Sequence, residues 1–254
     1  AIASIAGTVS RARADDDDQK LRDKKPAVLG RVTSPDPWKL ASSHQIGAGD
    51  ASFTYKNVNL KTWMPLNTFT GFTSGDSGAD CWGYTSPSGR EYALMGLSWG
   101  NGIVEVTDPS SPTLVTVVPG GVNQLWRDIT VVGTYAYAVS DNGGIGIQVM
   151  NLANVDVGVV PPVVNISQGG HTTTHTILSN PSSGYLYLCG GNALGGGVIP
   201  ASTTNPLNPT FTGPGWANPS NPTAPYVHEA QILTYTSAPY AGKEIAFLFA
   251  AGPY

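Results

Sequence analysis

The stretch WRDITVVGTYAYAVSDNGGIGIQVMNL, residues 126–152, decides how the rest of the chain is read. It opens on an Arg-Asp pair, continues as two short runs rich in Val, Ile, Thr and Tyr, and ends on an alternating apolar stretch. Such runs, bounded by Gly and Asn, read as β-strands. Asp141-Asn142-Gly143-Gly144 between them is a hairpin-turn signal, with a calcium role as the alternative.

The stretch is one copy of a repeat. YALMGL after Glu91, YAYAVS from Tyr135 and YLYLCG from Tyr185 align on Tyr92, Tyr137 and Tyr187, at spacings of 45 and 50. The run that follows begins at Gly102, Gly146 and Gly196, at spacings of 44 and 50. The run that precedes reads WRDITV from Trp126, HTIL from His175 and HEAQIL from His228. Three landmarks recurring in one order at 40–50 residues are the signature of a β-propeller blade. Each unit then has an inner strand, a strand with Tyr-Ala-type alternation, a Gly turn, a Val/Ile strand and a Pro-rich connection to a short outer strand. Asp108–Val118 shows that last step, and Pro suits an outer edge because it donates nothing to the ladder.

Residues 80–120, 121–170 and 171–213 make three such blades, and 224–254 begin a fourth that stops after its second strand. Residues 50–70 are expected to form a further strand pair, closing a ring or belonging to a preceding blade. The expected fold class is therefore all-β, a β-propeller with four-stranded blades over 50–254, incomplete or edge-open in this chain. An open edge accepts strands from another subunit.

Residues 1–49 are expected to be an arm or linker, largely irregular. Residues 11–31 hold seven of the chain's 13 basic residues and the acidic run Asp15–Asp18, and such a segment buries no apolar face. The acidic run lacks the spacing and turn glycine of an EF-hand. Ala12-Arg13-Ala14 has the small-x-small form of an export cleavage site.

Composition narrows function. Charged residues make up 12% of the chain, against about 25% in an average soluble protein. The net charge is −4 and the folded part has no basic stripe, which argues against nucleic acid as a partner. No run of about 18 apolar residues is present, so no transmembrane helix is expected. Cys81 and Cys189 either pair in an oxidising compartment or are two small buried hydrophobes. Asn165-Ile166-Ser167 is a glycosylation sequon.

The segments DCWGYTSPSGREYALMGL, GIVEVTDPSSPTLV, LWRDITVVGTYAYAVSD, GIQVMNL and VHEAQI resemble the choice-of-anchor B family, extracellular proteins built of LVIVD-type repeats. The resemblance covers roughly residues 50–254. It implies a propeller on an exported or surface-anchored protein. It implies no particular activity, and the family's further repeats and C-terminal anchor are not seen in this chain.

Inner strands start near a propeller's axis. Asp80, Arg127, Asp128, His175, His228 and Glu229 fall at equivalent places, 47 to 53 residues apart, so a ring of polar groups is expected at the channel mouth. One reading makes the ring a set of latches between blades, including an Arg–carboxylate pair. The other makes His175, His228 and Asp128 ligands of a divalent metal ion. No Gly-x-Ser-x-Gly elbow and no phosphate-binding Gly-Lys-Ser/Thr loop occurs. GGNALGGG, residues 190–197, leads into a strand and reads as a turn. Trp82, Trp99, Trp126 and Trp216 are either a carbohydrate-stacking surface or inter-blade packing.

The expected function is a non-enzymatic extracellular scaffold or binding module for a protein or glycan at the cell surface. The alternatives are a metal-dependent enzyme with a His/carboxylate site at the channel mouth, and a structural subunit of a surface layer or filament that self-associates through an open sheet edge.

Overall fold

A computed structural model describes residues 32–33, 61–142, 144–161, 164–217, 219 and 226–250. The charged arm with its cleavage-like site, and residues 50–60 of the expected strand pair, lie outside the described residues. Among the described residues the fold is all-β, with short 3-10 turns and no α-helix. Among the described residues, no helix is long and apolar enough to cross a membrane.

Strand β1 (Val32–Thr33) pairs with β2 (Thr62–Trp63). The first four-stranded sheet is β3 (Gly78–Thr85), β4 (Glu91–Leu97), β5 (Gly100–Glu105) and β6 (Thr113–Pro119). The second is β7 (Arg127–Val132), β8 (Tyr135–Ser140), β9 (Ile147–Asn151) and β10 (Val164–Ile166). The third is β11 (Thr176–Asn180), β12 (Tyr185–Cys189), β13 (Val198–Ser202) and β14 (Thr210–Phe211). A two-stranded sheet, β15 (Val227–Thr234) and β16 (Glu244–Ala250), follows. Among the described residues, all strand pairing is antiparallel between strands adjacent in sequence, and two-residue turns join β4 to β5 and β7 to β8.

The sheets stack face to face. In β8 successive side chains point to opposite faces. Ala136 and Ala138 face the first sheet, packing with Tyr92, Leu94, Ile103, Ile129 and Met150. Tyr137 and Val139 face the third, packing with Ile177, Leu186 and Leu188. Both faces of the second sheet are thus buried, which explains a strand with no polar face. Cys189 and Val198 carry the same stacking on to Val227, Ala230 and Ile232 of β15.

Residues 64–69 do not extend a strand pair. They lay Met64, Leu66 and Phe69 over the other face of the first sheet, against Leu97 and Val104. Gly102 makes this possible, because a Cβ there would meet the Phe69 ring at 2.6 Å. Cys81 is exposed and Cys189 is buried, and both are free thiols, so no disulfide joins them.

Candidate functional site

The first strand of each sheet lies beside the first strand of the next: β3 against β7, β7 against β11, and β11 against β15. Their leading ends surround a pocket of about 450 Å³. Asp80, Trp126, Asp128, His175, His228 and Glu229 line it. All six residues of the expected polar ring border this one pocket, since Arg127 also forms part of its wall.

Two of the six are delivered by bulges. The ladder of β3 and β4 slips between Gly78 and Cys81, around Asp80. The ladder of β15 and β16 slips between Val227 and Glu229, leaving His228 without an opposite residue. A bulge inserts an extra residue and re-aims its side chain, and bulges concentrate at sheet edges and beside functional sites.

Asp128 spans two sheets. Its Oδ1 accepts from its neighbour's amide, Ile129, at 2.8 Å, and its Oδ2 accepts from the Ile177 amide of β11 at 2.6 Å. Burial and the Asp80 carboxyl beside it hold the Asp128 carboxyl well above the usual carboxylate range. A protonated Asp128 is a hydrogen-bond donor toward Asp80, which relieves the like-charge contact.

The histidines form a separate cluster. His175 Nδ1 contacts Asp141 Oδ2 at 2.9 Å, and His175 Nε2 lies 2.9 Å from His228 Nε2. Thr176 Oγ1 donates to the His228 carbonyl at 2.8 Å, tying β11 to β15. Tyr226 stands over both rings, with centroids 6.0 Å from His175 and 6.3 Å from His228. Gly190 makes room for it: its φ is +68°, and a Cβ would meet both Tyr226 and the His175 Cβ at 2.9 Å.

The structure places the expected groups as follows. Among the described residues, no three His, Cys, Asp or Glu side chains come together to hold a metal ion, so the set His175, His228 and Asp128 does not form. Asp128 is turned to backbone amides and Asp80, while the carboxylate that reaches His175 is Asp141.

Arg127 makes no ion pair with Asp128. Neighbours on a strand point to opposite faces, and its guanidinium donates instead to the carbonyls of Gly120 and Val122, at 2.7 and 2.8 Å. Burial lowers its pKa to about 10.

The tryptophans make no common stacking surface. Trp99 covers the first sheet, Trp216 packs between the third and fourth, Trp82 is exposed, and Trp126 alone of the four lines the pocket.

His171, of the HTTTH run, is not in the pocket. It is buried edge-on to Phe211 with Nε2 2.6 Å from Thr174 Oγ1, and burial lowers its pKa. The residue sequence reasoning missed is Asp141, since Asp-Asn-Gly-Gly reads as a turn. Its partner lies 34 positions away on another sheet, and nothing local signals the contact.

No family model matches the chain, and no curated protein matches it either.

Proposed function

We propose that the chain is part of an exported β-propeller of the choice-of-anchor B kind, acting as a surface scaffold that binds its ligand in the pocket at the head of the first strands. The observation that carries this reading is the convergence of polar groups from four successive sheets on one pocket. Stacked four-stranded sheets with adjacent first strands support the propeller reading. The repeat period and the quoted motifs support the family.

Carboxyl groups from Asp80, Asp128 and Glu229 and a wall of Trp126 suit a neutral or cationic ligand rich in donors, such as a glycan's hydroxyls or a peptide's amides. They disfavour phosphate. The test is a glycan and peptide array probed with the chain and with Ala79→Trp, which fills the pocket from an exposed wall position. Binding of one chemical class, lost in the variant, is the expected result. No binding, or binding that Ala79→Trp leaves intact, overturns the reading.

A second reading is self-association through β16. Among the described residues β16 pairs with β15 alone, and its Phe247 and Phe249 are exposed. Light scattering at high concentration tests it. A monodisperse monomer excludes it, and oligomers dispersed by Phe249→Lys support it. The enzyme alternative turns on the histidine pair.

A further inference from the structure

We propose that His175 and His228 are adjacent ligands of one divalent transition-metal ion of right-angle geometry, copper(II) being the best fit, with Asp141 as the group that orients His175. The inference concerns the pocket described above but does not depend on any organic ligand being bound there.

Geometry carries it. With metal–nitrogen bonds of about 2.1 Å, two imidazoles at a right angle place their nitrogens about 3 Å apart and their ring centres about 4.5 Å apart. A tetrahedral angle spreads these to about 3.4 and 5.3 Å. Here the Nε2 atoms are 2.9 Å apart and the ring centres 4.2 Å apart. The rings therefore match the right angle, which belongs to tetragonal copper and nickel sites.

A head-on N–H···N hydrogen bond of this length sets the ring centres about 5 Å apart. The observed separation is shorter, so the two rings meet at an angle rather than end to end. The bulge of β15 carries the His228 ring.

The surroundings agree. Asp141 Oδ2 accepts from His175 Nδ1–H, which leaves the Nε2 lone pair for a ligand, and carboxylate backing of this kind is the usual partner of a metal-bound imidazole. On binding, His228 carries its proton on Nδ1 and gives its Nε2 lone pair. Both rings stay neutral, and the Nε2–Nε2 hydrogen bond is exchanged for two metal–nitrogen bonds as the His228 proton passes from Nε2 to Nδ1. Two protein ligands leave the remaining positions to water or to a molecule in the pocket, and copper heads the affinity order of the divalent first-row metals.

The experiment titrates copper(II) into the 254-residue chain and counts coordinated imidazoles from the remote-nitrogen modulation of the copper spin echo. Two imidazoles at one equivalent are expected. His175→Ala and His228→Ala each reduce the count to one. Asp141→Asn keeps two imidazoles while weakening affinity by about 10- to 100-fold.

Far-UV circular dichroism checks the fold of each variant. Should an alanine variant unfold, the unaltered chain and the near-isosteric Asp141→Asn decide. A wild-type count below two, or equal affinity in wild type and Asp141→Asn, overturns the proposal. So does an unchanged imidazole count in the folded alanine variants.

Discussion

The carboxyl group of Asp128 on β7 accepts a hydrogen bond from the backbone amide of Ile177 on β11, at 2.6 Å and across 49 positions of sequence. The contact joins the first strands of two sheets that share no ladder. It belongs to a series: Thr130 and Ser179 meet at 2.8 Å on the same two strands, and Thr176 reaches the His228 carbonyl on the next. Sheets held by apolar stacking resist separation but slide easily, because apolar contact is non-directional. Hydrogen bonds between first strands set the register of one sheet on another.

Asp128 makes stability fall as pH rises. Its carboxyl is raised in the folded protein by burial and by Asp80. The unfolded chain binds fewer protons than the folded one between the ordinary value and the raised one, so stability falls as pH climbs through that window. Asp80→Asn replaces the like charge with a donor. It is expected to stabilise the protein at pH 8 by about 1 kcal/mol, the worth of roughly one pKa unit. Urea unfolding at pH 5 and pH 8 measures it, and an unchanged pH slope contradicts the assignment.

Asp76 has the opposite sign. Burial raises its carboxyl, but donation from the Thr73 amide, Asn123, the Thr73 hydroxyl and Ser98 outweighs burial and holds it below the usual range. Its contribution is full above the unfolded value and is lost as pH falls through the folded one. Asp76→Ala strands several donors at once and is expected to cost about 2–3 kcal/mol at pH 7. The difference from wild type should shrink below about pH 4. A constant difference across that range would show that space filling, not charge, is what Asp76 provides.

Asn101 and Gln148 form a buried amide pair between the first and second sheets. Asn101 Nδ2 donates to Gln148 Oε1 at 2.6 Å, and Gln148 Nε2 donates to the Pro119 carbonyl at 2.9 Å. Asn101→Ala leaves a buried acceptor unpaired and is expected to cost about 1–3 kcal/mol. A double-mutant cycle with Gln148→Ala should give a coupling energy of at least about 0.5 kcal/mol. Strict additivity of the two changes would show the pair to be independent.

Gly190 is tested by Gly190→Ala. Its φ of +68° is strained for alanine, and the new methyl meets Tyr226 and His175. A loss of at least about 1 kcal/mol is expected, together with a changed tyrosine environment in the near-ultraviolet circular dichroism spectrum. An unchanged spectrum would mean that Tyr226 does not rest on this position.

Leu186, fully buried between the second and third sheets, tests the stacking itself. Leu186→Ala is expected to cost about 2–5 kcal/mol, from lost transfer energy and the cavity left behind. Chemical denaturation measures it, and a loss below about 1 kcal/mol would mean that the two sheets do not depend on this contact.

Local pattern was enough to establish the strands. Period-two runs, glycine turns and a recurring tyrosine mark Tyr92, Tyr137 and Tyr187, and these lie on β4, β8 and β12, the second strands of three sheets. A residue's face and its place in a strand are set by neighbours one to four positions away, so a sequence carries that information directly. The polar residues at the strand heads were legible for the same reason, as equivalent positions in a repeat.

Their partners were not legible. Asp141 reads as a turn residue until His175 is brought to it, and Asp128 reads as a metal ligand until the Ile177 amide claims it. The aim of His228 follows from a bulge that strand propensities do not reveal. These contacts span 34 to 53 positions. They exist only because apolar burial between facing sheets stacks one sheet on the next. Sequence alone determined the strands and which polar groups stand at their heads. Only the stacking decided which of those groups meet, since directional contacts of a few ångströms depend on the relative placement of whole sheets.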